Sequence, residues 1–210
     1  MRTLDSAAGT AKEGRDRVTQ AILPVFGKIN NVEKAKLDQV IDSVKIKEIL
    51  RALKCGIGED FDIDKLRYHK IIIMADADVD GSHIQCLYIP LFYRFLRPII
   101  EQGHLYLACP PLFAIKKGKD VTYAYSDEER DQILAELGNG CEVSRFKGLG
   151  EMNSEQLWET TMDPERRRLI QVVIDDVISD ETMISTCMGE DVAPRRQFIM
   201  ENAATVELID

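Results

Sequence analysis

No Cys-x-x-Cys pair occurs in this chain, and its five cysteines, Cys55, Cys86, Cys109, Cys141 and Cys187, make an odd number. This excludes a disulfide framework and a zinc site built on paired cysteines. Cys86 and Cys109 sit in apolar surroundings and are expected to be core thiols. No apolar run reaches the ~20 residues that span a bilayer. The start, Met-Arg-Thr-Leu-Asp-Ser, lacks the apolar core of a signal peptide. A cytoplasmic protein with no membrane partner is expected. Excess positive charge is missing too, the formal net charge being -9. A free-standing DNA-binding domain is usually basic, so any nucleic-acid contact must come from local clusters or from a partner. The clusters present are Arg15/Arg17, Lys116/Lys117/Lys119, Arg145/Lys147 and Arg166/Arg167/Arg168, and each also reads as a solvated face. Gly9 and Gly14 have P-loop spacing, but Arg15-Asp16 follow where Lys-Ser/Thr is needed, which excludes a Walker nucleotide site. Internal repeats and low-complexity segments are absent.

What remains is an ordinary soluble composition, 45% hydrophobic and 30% charged, in 210 residues. That is enough for one large domain, or one domain with an appendage. The most informative stretch is residues 70–84. The apolar run Ile71–Met74 reads as a strand buried on both faces. It leads into Asp76, Asp78 and Asp80 at alternate positions, closed by Gly81. Open α/β sheets place their ligands at the carboxyl ends of strands. Three like charges there repel one another unless a hard cation neutralises them. Magnesium, which takes one or two carboxylates and keeps several waters, suits the site best. Two other readings apply to the same residues. In one, the acids form a solvated turn in which Asp80 caps a helix beginning near Ser82. In the other they form an EF-hand, which fails because position twelve would be Leu87 and because a strand precedes the loop.

Along the chain, residues 1–30 are polar and Gly-rich, with a short strand expected at Ala21–Val25. Residues 33–53 carry helical spacing through Ile46, Ile49, Leu50 and Leu53, ended by Gly56-Ile57-Gly58. Asp60, Asp62 and Asp64 form a second acidic run with no strand feeding it, and Asp64 reads as a helix cap. A long apolar helix follows at about 82–102, segmented by Pro90 and Pro98 and stopped by Gly103. Next come a strand at His104–Ala108, a rigid Pro110-Pro111, and a hairpin of Leu112–Lys116 and Val121–Tyr125. A helix at Asp127–Leu137, a strand at Cys141–Phe146, a loop at Lys147–Asn153 and a helix at Ser154–Met162 lead to a strand at Leu169–Asp175. Helices at about 180–188 and 193–203 end the chain. Alternating strands and helices imply an α/β fold with a mostly parallel sheet in the first half, followed by a smaller α+β tail.

The string Asp-Ala-Asp-Val-Asp-Gly-Ser-His at 76–83 resembles the TOPRIM acidic motif of bacterial type IIA topoisomerases. Asp5-Ser6-Ala7 with the segment 9–17 is similar to the Gly-rich opening of that domain. Ala21-Ile22-Leu23-Pro24 and Gly27-Lys28-Ile29 with 31–35 resemble its next segment, closer to the gyrase B family than to topoisomerase IV. Arg145 to Met152, Gln156 to Pro164, Pro194-Arg195-Arg196 and Phe198-Ile199 resemble the signature after the insertion and the gyrase-type tail. The resemblance implies a Rossmann-like TOPRIM core at 1–112, an insertion and connector at 113–145, and a tail at 146–210.

The same resemblance implies a chemistry. Asp76 would bridge metal sites, Asp78 would complete the second, and Asp80 would support it. Mg²⁺ would be the cofactor, with Mn²⁺ or Ca²⁺ as substitutes. Double-stranded DNA would be the substrate, and the gyrase A subunit, in an A2B2 assembly, would supply the tyrosine nucleophile. Arg15, Lys28 and His83 are further candidates near the phosphate or the acids, each equally readable as structural. Two departures stand out. Thr3 occupies the position of the family's Glu, and a hydroxyl cannot replace a carboxylate's charge at a magnesium site. Phe26 stands where the family commonly carries Lys or Arg. On this resemblance, most of the first TOPRIM strand, the ATPase and the transducer regions are expected to have no counterpart here. The expectation is therefore a C-terminal fragment without an ATP site, inactive on its own.

Overall fold

The structure, a computed structural model, describes residues 5–205. The helices are α1 (Asp5–Gly14), α2 (Leu37–Asp42), α3 (Val44–Leu53), α4 (Val79–Phe95), α5 (Arg97–Glu101), α6 (Asp127–Leu137), α7 (Ser154–Leu157), α8 (Val177–Met188) and α9 (Val192–Asn202). The strands are β1 (Ile71–Ile73), β2 (Leu105–Cys109), β3 (Phe113–Lys117), β4 (Asp120–Ala124), β5 (Glu142–Arg145) and β6 (Arg168–Gln171). One sheet has the order β1-β2-β6 and the other β4-β3-β5. The chain is α/β, as its pattern of elements implies. Among the described residues no helix is long and apolar enough to cross a membrane.

The residues cluster into two compact units. The first comprises the stretch ending at Phe26, Met74–Gly81 and Leu107–Ile170; the second comprises Gly27–Ile73, Ser82–Tyr106 and the stretch from Gln171. In the first unit β3 pairs antiparallel with β4, Ile115 opposite Thr122, and with β5, Ile115 opposite Val143. Phe113, Ile115 and Ala124 are buried from this sheet, and Ile133, Leu134 and Leu137 of α6 pack on them. Ser126 caps α6 by accepting the Glu129 N–H. A second cluster joins Ala11, Leu149, Met152, Leu157 and Met162, with Met74, Phe146 and Trp158 against it. This cluster carries the loop that reaches Asp76. The second unit buries Val40, Ile46, Ile49 and Leu53 from α2 and α3, Leu91 and Phe92 from α4, Leu96 from the break between α4 and α5, and Ile99 from α5.

Several expectations are corrected. The polar opening holds α1, obscured by Gly9 and Gly14, both poor helix formers. Ala21–Val25 is irregular; Pro24 lacks the N–H a ladder needs. The helical stretch 33–53 divides at Ser43, which is extended at ψ 122°. Its end is capped by Lys54 in the left-handed region at φ 61°, ahead of the expected glycines. Asp62, and not Asp64, caps the following turn by accepting the Asp64 N–H at 3.1 Å. Strand β1 is half-buried along its length, so it is not shielded on both faces. Cys86 is exposed and Cys109 half-buried; Cys55 is the buried thiol, and burial pushes its ionisation up. The helix expected at 154–162 is α7 followed by a single π-turn, Trp158–Met162.

Candidate functional site

Strand β1 ends at Ile73, and the chain runs through Met74 and Ala75 to Asp76 before α4 begins at Val79. Asp76 and Asp78 thus occupy the strand-to-helix turn, whereas Asp80 is the second residue of α4. Asp78 Oδ1 accepts the Gly81 N–H at 2.7 Å. Asp78, rather than Asp80, therefore satisfies an open amide in the first turn of α4. Asp80 lies within that first turn, where its charge complements the helix dipole.

Asp76 is held from two sides by backbone. Its Oδ1 accepts the Leu149 N–H at 2.8 Å. A Cβ on Gly148 would lie 2.8 Å from the Asp76 carboxyl carbon, and one on Gly81 would lie 1.9 Å from the Asp76 carbonyl oxygen. Only glycine admits both approaches. Leu149 is 6% exposed and anchored in the Ala11–Met162 cluster, so the donating amide is fixed by a buried side chain. Such burial stabilises the fold by about 1.5–3 kcal/mol. Ala77, Pro110, Pro111, Phe146, Gly148, Leu149 and Met152 line an apolar hollow beside the turn. Sequence reading missed Gly148 and Leu149 as site residues, because their contribution is backbone. The Gly-containing string at 147–150 was the one signal that could have pointed to them.

Asp76 is exposed and Asp78 half-exposed, so hard oxygen ligands are presented to solvent. Among the described residues no group of three or more His, Cys, Asp or Glu side chains is gathered to hold a metal ion. Asp76, Asp78 and Asp80 therefore do not close into a three-carboxylate cage. Magnesium does not require one: it is held by one or two carboxylates, with waters and substrate phosphate completing its octahedron. The glycine-lined, amide-oriented Asp76 with Asp78 beside it in sequence fits that chemistry. Thr3 lies outside the described residues.

Arg15 has a local role. Arg15 Nη1 donates to the Gln20 carbonyl at 3.3 Å, and Gln20 Nε2 donates to the Met162 carbonyl at 2.7 Å. The buried Arg15 Nε has no hydrogen-bond partner among the described residues. Arg15 thus braces the turn after α1. Lys28 and His83 belong to the second unit, and both are exposed.

Residues 5–110 match the family model described as Toprim domain, and residues 138–200 match that of the DNA gyrase B subunit, carboxyl terminus. The B subunit of DNA gyrase from Treponema denticola is 54% identical over 206 residues, covering 97% of this chain and 32% of that protein. Its counterpart in Archaeoglobus fulgidus is 56% identical over 206 residues, covering 98% of this chain and 32% of its own length. That of Thermus thermophilus is 55% identical over 209 residues, with 97% and 33% covered. The chain spans about a third of the length of these relatives.

Proposed function

The chain belongs to the Toprim family, and from that premise we propose that it is the magnesium-binding DNA cleavage and religation module of a type IIA topoisomerase of the gyrase B kind. The observation that carries this reading is the Asp76 carboxylate, oriented by the Leu149 amide in the turn after β1. Asp76 and Asp78 would hold Mg²⁺, with Asp80 in support and Mn²⁺ or Ca²⁺ able to substitute. The bound ion would supply Lewis-acid stabilisation at a DNA phosphodiester and at the leaving 3′ oxygen. This chain's own residues bind and orient: the Leu149 N–H fixes one Asp76 oxygen, and the Gly81 N–H fixes one Asp78 oxygen. The nucleophilic tyrosine would come from a gyrase A subunit, so none of the six tyrosines here is assigned to attack. Double-stranded DNA is the proposed substrate, and the cytoplasm the proposed compartment. Residues 1–112 would form the TOPRIM core, 113–145 the insertion and connector, and 146–210 the tail.

Mixing the chain with a gyrase A subunit, DNA and Mg²⁺ tests the reading. Cleaved DNA covalently attached to the A subunit, lost in Asp76→Ala, is the expected result. No cleavage even in Thr3→Glu would contradict it. A second reading is motivated by Thr3: an assembly module that binds the A subunit without cleaving DNA. Association without cleavage by the unmodified chain would favour it, and cleavage by that chain would refute it. The corresponding part of topoisomerase IV is the third reading, separated by which A-type partner it binds.

A further inference from the structure

We propose that Glu151 is a positioning residue for Asp76, a role that rests on the magnesium reading above. The Glu151 carboxylate accepts the Lys147 N–H at 2.9 Å, turning back on its own loop. Inside that loop the Glu151 N–H donates to the Gly148 carbonyl at 3.1 Å, and the Met152 N–H to the Leu149 carbonyl at 3.3 Å. The result is a short 3-10 turn, Leu149–Glu151. Leu149 opens that turn, so its own N–H has no partner within it. It is directed instead to Asp76 Oδ1, 2.8 Å away.

The loop is anchored on its inner side by Leu149 and Met152, both buried in the cluster with Ala11, Leu157 and Met162. On its outer side the Glu151 side chain, which is exposed, ties the fifth residue to the first. Buried side chains set where the loop sits, and the Glu151 bond sets the pitch at which the Leu149 amide leaves it. Asp76 depends on that pitch because even a Cβ on Gly148 would stand 2.8 Å from its carboxyl carbon, so the loop leaves the carboxylate little room. Glu151 does not join a three-residue metal group among the described residues. Its oxygen is used as a hydrogen-bond acceptor, which the side-chain oxygen of glutamine reproduces without charge.

The test uses the full chain and three variants, Glu151→Ala, Glu151→Gln and Asp76→Ala. Two readouts apply: hydrogen exchange at the Leu149 amide without metal, and Mn²⁺ binding by calorimetry. Glu151→Ala is expected to speed Leu149 exchange and to weaken Mn²⁺ binding by roughly three- to tenfold, the loss of one ordinary hydrogen bond. Glu151→Gln is expected to stay within about twofold of the parent on both. Unchanged Leu149 exchange in Glu151→Ala would overturn the proposal. So would a Glu151→Gln variant as impaired as Glu151→Ala, because charge and not geometry would then be at work. An Asp76→Ala variant that binds Mn²⁺ like the parent would instead defeat the magnesium reading, leaving the exchange result to decide the role of Glu151 in the loop.

Discussion

Gly148 and Asp76 approach so closely that a methyl group added to the glycine would stand 2.8 Å from the aspartate's carboxyl carbon and 2.9 Å from its Oδ2. The neighbour that must give way is the site carboxylate itself. Gly148→Ala is therefore expected to destabilise the fold by about 1–3 kcal/mol, the range for an overpacked site. It should also weaken Mn²⁺ binding about tenfold, equivalent to about 1.4 kcal/mol. Chemical denaturation and calorimetry on the same sample check both.

Two glycines of α1 should answer alanine with opposite signs. A Cβ on Gly9 meets nothing within 4 Å, whereas one on Gly14 would stand 2.5 Å from the Ser154 carbonyl oxygen. Gly9→Ala is expected to stabilise by about 0.5–1 kcal/mol, the helix-propensity gain. Gly14→Ala is expected to destabilise by about 1–3 kcal/mol, because backbone must move. Urea midpoints with unchanged m-values would show both effects.

In the second unit Arg94 holds two carboxylates at once. Its Nε and Nη2 donate to Glu33 at 2.6 and 2.8 Å, and its Nη1 and Nη2 donate to Glu181 at 2.7 Å. The Glu33 side chain is 10% exposed and that of Glu181 44%. Arg94→Ala strands the more buried acid and should cost on the order of 2 kcal/mol, below the 3–5 of a fully buried pair. Glu181→Gln should cost only about 0–1 kcal/mol. Equal losses from the two variants would contradict this asymmetry.

The same clamp carries a pH dependence. The Arg94 hydrogen bonds hold the Glu181 carboxyl below its ordinary value, and Glu33 and Glu181 hold the Arg94 guanidinium up. A carboxyl lowered in the folded state binds fewer protons there than when unfolded. Its contribution is complete above the ordinary carboxylate range and is lost as pH falls through the lowered value. Protection of the α8 amides, corrected for intrinsic exchange, should therefore be level above the ordinary carboxylate range and fall as pH drops through the lowered value, and Arg94→Ala should lose that fall.

The sequence exposed the strand-to-helix turn because three isoleucines followed by alternating aspartates have few other uses, and α6 and the hairpin were legible from their caps and turn residues. What periodicity could not reach were contacts made by backbone. Leu149 reads as a core residue, and Gly148 as loop punctuation, until Asp76 is placed against both. Helix α1 was hidden by its glycines, one of which is there for a close approach to Ser154. Asp78 and Asp80 are both plausible caps in a string of alternating acids, and only the 2.7 Å bond to Gly81 N–H distinguishes them.

The central claim is that the turn after β1 binds a divalent cation through Asp76 and Asp78. Calorimetric titration of Mg²⁺ and Mn²⁺ into the chain and into an Asp76→Ala/Asp78→Ala variant of matched circular dichroism tests it most directly. Saturable binding by the parent, abolished in the variant, is the expected result. Indistinguishable titrations would contradict it.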